Sequence, residues 1–129
     1  MALPREHRLR GRFVFDHLYQ QGVRQHGQWM VLRTMAARDE LLRRELRRQA
    51  PSPCRCAVVI STKVSKRSVQ RNRLRRLLHD HLRLFCRPQA PEQPARWILL
   101  SLKPGSAEVP DVDLLGECSM LLQKAGLRP

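Results

Sequence analysis

One segment constrains the fold of this chain most, because a short strand pattern runs directly into a long helix pattern. Residues 55–61 (RCAVVIS) are rich in β-branched side chains, which predicts a buried strand. Residues 65–87 then carry apolar side chains at helical spacing, so we predict one long amphipathic helix. Its apolar face is formed by Leu74, Leu77, Leu78, His81, Leu82 and Phe85. Such a helix needs an apolar partner surface, which a small sheet supplies in α+β and α/β domains.

The other segments supply the remaining strands and helices of one domain, residues 1–129. We predict strands at residues 29–35 and 95–103, the second in an interior position because its apolar run is continuous. We predict helices at residues 11–21 and from the N-cap Asp113 to Gly126. Residues 88–94 (PQAPEQP) form a proline-rich link. We interpret the polar residues 38–53 as an inserted arm between two strands and assign no site to them.

The positive charge is large and unevenly distributed. The chain has 25 Lys and Arg against 11 Asp and Glu, a formal net charge of +14. Residues 1–60 hold 12 basic and 5 acidic residues, residues 61–87 hold 9 and 1, and residues 88–129 hold 4 and 5. This excess predicts a polyanionic partner, either nucleic acid or an anionic membrane surface, that binds the first two thirds of the chain.

Several other classes of protein are excluded by the lengths of the apolar runs and by the spacing of the histidines and cysteines. No apolar run approaches the roughly 18 residues of a membrane span, and no secretion signal is visible at the N-terminus, so we expect a cytoplasmic protein. Four cysteines could form disulfides, but a reducing compartment favours free thiols. Cys54 and Cys56 have no second pair at zinc-ribbon spacing, and Cys118 fits a helical core position. No histidine motif of a metallohydrolase is present, so we predict no metal site and no catalytic residue on the protein.

The densest basic block lies where the long helix begins. It contains Lys63, Lys66, Arg67, Arg71, Asn72, Arg73, Arg75 and Arg76. The N–H groups of a helix N-terminus favour anions, and arginine binds phosphate oxygens through two parallel hydrogen bonds. The block therefore predicts a phosphate-binding surface, and the alternative interpretation is an ordinary solvated basic face.

The order of residues in this block carries more information than its charge. Residues 61–78 (STKVSKRSVQRNRLRRLL) resemble the signature of the bacterial ribonuclease P protein subunit, in which an Arg-Asn-Arg core follows a strand. Residues 8–22 (RLRGRFVFDHLYQQG) resemble the first helix of that family. Residues 29–35, 97–105 and 111–126 resemble its second strand, fourth strand and closing helix. The Arg-Asn-Arg block is specific in this setting, and the other segments would be weak alone.

The resemblance implies a fold and a function. The fold would have about four strands and three helices in αβββαβα order, similar to the second domain of the fifth small-subunit ribosomal protein. The protein would bind a catalytic RNA and the single-stranded 5′ leader of precursor tRNA, and would assist endonucleolytic removal of the leader. Magnesium ions bound with the RNA would carry the hydrolysis, and neither a membrane nor an obligate protein partner is implied.

The resemblance also assigns roles to individual residues. The eight residues of the basic block would contact the catalytic RNA, with Asn72 as a local orienting group. Phe15 and Tyr19 match the aromatic positions of the leader cleft, although both could be ordinary core residues. Arg33 stands where the family often has a tyrosine, which replaces an aromatic surface by a guanidinium that can stack.

Three other functions remain open from the residues alone. A structural RNA-binding protein of ribosomal type would explain the charge and the fold, but not the pairing of an aromatic helix with a basic one. A DNA-binding regulator would place a helix just before the basic helix, where this chain has a strand. A membrane-surface protein is favoured least, because the basic helix has no large aromatic face opposite its charges.

Overall fold

Helices and strands follow one another in the predicted αβββαβα order. The computed structural model describes residues 8–9, 11–38, 54–86 and 95–129. The elements in these residues are α1 (Arg12–Gln21), β1 (Val23–His26), β2 (Met30–Ala36), β3 (Cys54–Val59), α2 (Ser68–Arg83), β4 (Arg96–Leu102) and α3 (Asp111–Lys124), with a 3₁₀ turn at Ser106–Glu108. The α+β class is therefore confirmed.

Several helix boundaries differ from the predicted ones. α2 ends at Arg83, so the predicted end at residue 87 was wrong, and two helix starts differ for local reasons. α2 begins at Ser68 rather than residue 65, because the Ser65 hydroxyl organises the preceding turn. It accepts the backbone N–H of Arg67 at 3.2 Å and donates to the Gln70 side chain at 2.6 Å. α3 begins at Asp111, so the prediction of Asp113 as its N-cap was wrong. Both aspartates instead lie in the first turn, where negative charge is favourable at the positive end of the helix dipole.

β1 is an element that sequence patterning did not locate. Its residues, VRQH, are mostly polar and show no apolar alternation. It becomes a strand by antiparallel pairing with β2, with Val23 opposite Thr34 and His26 opposite Val31. The predicted arm beyond residue 38 and the predicted link at residues 88–94 lie outside the described residues.

The four strands form one mixed sheet in the order β1-β2-β4-β3. β4 is antiparallel to β2 and parallel to β3, and α2 connects the two parallel strands. β3 is therefore an edge strand. Residues Arg8 and Leu9 lie along its outer side, where the Leu9 N–H donates to the Cys56 carbonyl at 2.9 Å.

The sheet separates two apolar clusters because β4 alternates its side chains between the two faces. Trp97 and Leu99 pack on one face with Leu9 and α1, whose Val14 and Leu18 are fully buried. On the other face, alternate residues of β4 pack with α2 and α3 in the larger cluster. α1 and α2 therefore lie on opposite faces of the sheet.

A buried carboxylate joins α3 to the turn between β1 and β2. Glu117 is only 6% exposed, and its carboxylate accepts the Trp29 backbone N–H at 3.0 and 3.3 Å. Gly27 leaves the space for this contact, since a Cβ atom there would lie 1.6 Å from a carboxylate oxygen of Glu117. The position of α3 on the sheet thus depends on a glycine in a distant turn.

Candidate nucleic-acid interface

An open cleft of about 570 Å³ lies along the β3 edge, between residues of α1 and α2. Its walls come from the segment before α1, from α1, from β3 and from α2. The lining residues are Arg8, Leu9, Phe15, Cys56, Ala57, Val58, Asn72, Arg75, Arg76 and His79. One wall is thus basic and polar, while the floor and the opposite wall are largely apolar.

The basic wall is formed by one face of α2. Asn72, Arg76 and His79 follow at helical spacing, and Arg75 lies beside them. The Arg75 guanidinium donates to the Asn72 side-chain oxygen at 2.8 Å. Asn72 therefore orients an arginine that lines the cleft, while Arg76 is exposed to solvent.

The aromatic wall is contributed by Phe15. Its ring is partly buried against the smaller core cluster and also lines the cleft. Phe13, two residues earlier in α1, is 75% exposed and is not part of the lining. The two phenylalanines of one helix therefore occupy different environments.

Tyr19 and Arg33, predicted with Phe15 as one group, form a separate pair beside the cleft. The Arg33 guanidinium carbon lies 4.7 Å from the centre of the Tyr19 ring, within the range of a cation–π contact. Tyr19 is 45% exposed, so part of its surface stays accessible. The Arg33 guanidinium thus stacks within the protein, on Tyr19, and its predicted part in leader binding stays a prediction.

The two arginines of the Arg-Asn-Arg core bond to different parts of the protein. Arg71 donates to the Ser65 carbonyl at 2.9 Å and so joins the first turns of α2 to the preceding loop. Arg73 pairs with Asp111 at the start of α3, with its Nη1 atom 3.0 and 3.2 Å from the two carboxylate oxygens. Arg73 is thus separated from Asn72 and Arg75, with which sequence reasoning had grouped it.

Lys63, Lys66 and Arg67 are all exposed around the start of α2. Lys63 lies in the turn after β3, and Arg67 occupies the N-cap position of the helix. These three exposed cations lie beside the N-terminus of α2, the positive end of the helix dipole, and form a second basic surface, distinct from the cleft.

His79 and Arg8 are cleft residues that sequence reasoning missed as site residues. Burial lowers the pKa of His79, the positive charges of Arg75 and Arg8 lower it further, and Asp80 partly opposes this. The spacing of His79, seven residues after Asn72, could have placed it on the basic face. No sequence signal places Arg8 there, because its position depends on the pairing of residues 8–9 with β3.

The cysteines differ most from their predicted state. Cys118 is fully buried as predicted, and burial raises its pKa to about 12. Cys54 and Cys86, however, form a disulfide, although reduced thiols were expected. Cys56 remains a thiol, and its pKa is raised, chiefly by burial. β3 and the end of α2 meet in the core, which brings together cysteines 32 positions apart in the chain.

None of the helices in the described parts of the chain has the length and apolar character needed to cross a bilayer.

Two solved bacterial ribonuclease P proteins superimpose well on this chain. A Staphylococcus aureus RNase P protein superimposes with a TM-score of 0.71 at 15% identity, over 95% of this chain and 90% of that one. The protein from Thermotoga maritima gives a TM-score of 0.65 at 17% identity, over 91% and 96%. The three helices and the four-stranded mixed sheet are therefore those of the bacterial ribonuclease P protein fold.

Proteins similar in sequence show which family the chain belongs to. The Ribonuclease P family matches residues 3–126 of this chain. The ribonuclease P protein component of Parasynechococcus marenigrum strain WH8102 is 54% identical over 127 residues, with 98% of both chains covered. That of Prochlorococcus marinus strain MIT 9313 is 52% identical over the same length and coverage. The chain belongs to the ribonuclease P protein family.

Proposed function

We propose that this chain is the protein subunit of ribonuclease P, which binds the catalytic RNA and the single-stranded 5′ leader of precursor tRNA. In this role it assists endonucleolytic removal of the leader and so helps to produce mature tRNA 5′ ends in the cytoplasm. Membership of the family supports the subunit role. The observation that supports leader binding is the cleft in which an aromatic ring faces a basic helix.

The cleft has the two properties that hold a single strand without strict sequence recognition. The cations of Arg8, Arg75 and Arg76 attract phosphates, and the ring of Phe15 offers a face for base stacking. Tyr19 follows Phe15 by four residues, so the Tyr19–Arg33 pair extends the same side of α1. A leader that leaves the cleft on this side meets a second aromatic and basic surface.

The second basic surface is our candidate for the catalytic RNA. Lys63, Lys66 and Arg67 are exposed and lie beside the N-terminus of α2, which suits backbone phosphates. Arg73 reaches a phosphate by exchanging its Asp111 partner, since both side chains are about half exposed. One helix would thus present different faces to the leader and to the catalytic RNA.

We assign the hydrolysis to magnesium ions bound with the RNA subunit, as the family resemblance implies. The protein would act by binding and positioning. Positive charge on both surfaces would reduce the repulsion between the two RNA molecules and so lower the magnesium concentration that the complex needs. The protein should therefore stimulate cleavage of precursor tRNA most at low magnesium concentration.

Reconstitution at low magnesium tests the proposal. The chain is added to a bacterial ribonuclease P RNA, and cleavage of precursor tRNA is measured over a range of magnesium concentrations. We expect faster cleavage at low magnesium and a smaller effect at high magnesium. A complex that forms without stimulation at any magnesium concentration would refute the proposal and favour a structural RNA-binding protein.

Phe15→Ala tests the leader cleft, and Phe13→Ala is its matched control in the same helix. Removal of one base stack weakens binding by about 1–3 kcal/mol, or roughly 5- to 150-fold. We expect this loss for precursor tRNA bound by the reconstituted complex and no loss for mature tRNA. Phe13→Ala should change neither, because its ring lies outside the cleft lining. Equal weakening of both tRNAs by Phe15→Ala would reject the cleft assignment.

A further inference from the structure

Three cysteine sulfurs lie together at the junction of β3 and the end of α2. Cys54 and Cys86 form a disulfide, and the Cys56 sulfur is 3.3 Å from that of Cys54 and 3.0 Å from that of Cys86. All three residues are buried. Cys54 and Cys56 point to the same side of β3, because side chains alternate along a strand. We call these three residues the cysteine cluster.

The cluster contains one cysteine in addition to the two that form the disulfide. The third sulfur, on Cys56, contacts both bonded atoms, so reduction would leave three thiols around one point. Three thiolates are the donor set of thiophilic metal ions, above all monovalent copper and zinc. A structural zinc site takes four protein ligands, whereas no histidine, aspartate or glutamate of the described residues joins this group. Three sulfur donors alone fit monovalent copper better.

We propose that reduction of the Cys54–Cys86 disulfide opens a three-thiolate site in which the cysteine cluster binds one monovalent copper ion. A cellular dithiol supplies two electrons and two protons to the disulfide and becomes a disulfide itself. Copper then replaces the protons of the three thiols, so three protons leave and the ion keeps its oxidation state. Each of the three cysteines provides one sulfur ligand.

The cluster is buried, which disfavours free thiolates, so the bound cation itself must balance part of their charge. Three thiolates and one monovalent cation carry a net charge of −2, and Cys56 lines the cleft that also holds Arg8, Arg75 and Arg76. The site therefore has three sulfur donors and lies next to a cleft that is lined by positively charged side chains.

Copper binding by the full chain tests the proposal. The protein is reduced with a dithiol under anaerobic conditions, freed of the reductant, and titrated with monovalent copper against a chromophoric copper chelator. We expect one equivalent to be retained by the reduced chain and none by the oxidised chain, in which two of the three sulfurs are bonded. X-ray absorption at the copper edge should count three sulfur neighbours.

Two serine variants separate the cluster from other thiols. Cys56→Ser should weaken copper binding at least tenfold, because only two sulfurs remain. Cys118→Ser is the matched control, since Cys118 is also buried but lies outside the cluster. Circular dichroism confirms that each variant is folded. The number of sulfur neighbours that X-ray absorption gives for copper in the unmodified chain tests the proposal even if a variant does not fold.

Several outcomes would overturn the assignment. Reduced protein that retains no copper excludes the site, and so does a count of two sulfurs. Unchanged binding by Cys56→Ser excludes the third ligand, and loss of binding by Cys118→Ser excludes a site of only these three. Zinc retained in preference to copper, in a parallel titration, rejects the identity of the ion.

Discussion

Replacement of Gly27 by alanine should destabilise the protein through a residue 90 positions away in the chain. The new Cβ atom would lie 1.6 Å from Oε1 of Glu117 and 2.6 Å from its Cδ atom. The glycine cannot easily move aside, because its N–H donates to the Met30 carbonyl at 2.8 Å and its carbonyl accepts from Lys103 Nζ at 2.7 Å. The Glu117 carboxylate must therefore leave its position.

The size of the effect follows from the contact that is lost. The carboxylate accepts the Trp29 N–H, and a hydrogen bond to a charged group contributes about 1.5–3 kcal/mol. The Trp29 N–H is then left without this partner in a partly buried place, which adds to the loss. We expect Gly27→Ala to lower the free energy of unfolding by about 2–4 kcal/mol.

Urea unfolding followed by tryptophan fluorescence measures this effect. Gly116→Ala is the matched control: it lies in α3 beside Glu117, and a Cβ atom there meets nothing within 4 Å. It should raise the free energy of unfolding by about 0.5–1 kcal/mol, because alanine replaces glycine inside a helix. Gly27→Ala combined with Glu117→Ala should cost less than the sum of the single changes. Additive losses, or an unchanged midpoint for Gly27→Ala, would refute the reasoning.

Three further predictions concern α2. Burial and two neighbouring arginines lower the pKa of His79 below its usual 6.5, so the unfolded chain takes up this proton first as the pH falls. The free energy of unfolding should therefore decrease below about pH 6.5. His79→Gln should reduce that dependence in denaturation experiments, and the remainder should come from His81, whose pKa burial also lowers. Arg71→Ala and Arg73→Ala should each weaken binding to the catalytic RNA and reduce its salt slope by about 1, and unchanged slopes would exclude phosphate contacts. Asp111→Asn should strengthen RNA binding by releasing Arg73 and change stability by less than about 1 kcal/mol, and weaker RNA binding would contradict this.

Local patterns predicted the elements that have strong periodicity. Leu74, Leu78 and Leu82 are all fully buried, as the helical spacing of α2 required. The continuous apolar run of β4 predicted a central strand, and Trp97 to Leu100 are at most 1% exposed. Both predictions succeed because apolar residues at helical spacing bury one face of a helix, whereas a continuous apolar run indicates a strand that is buried on both faces.

Elements without such a pattern needed the tertiary structure. β1 is polar and becomes a strand only through hydrogen bonds to β2. α3 has Pro110 at its N-cap position and begins at Asp111, whereas the residue type favoured Asp113 as the N-cap. The residues of β1 alone favoured no strand, and the residues around the start of α3 alone favoured a later helix boundary.

Adjacent or periodic residues predicted the α+β class and the basic helix, because both depend on short-range spacing. The family resemblance that these residues carry implied Phe15 as a cleft residue. Only the tertiary structure placed Phe15 opposite Asn72 and Arg75, turned Arg73 towards Asp111 and gathered the cysteine cluster. These arrangements join segments that are distant in the chain. They depend on the strand order and on the placement of α1 and α2 on opposite faces of the sheet, which local spacing does not specify.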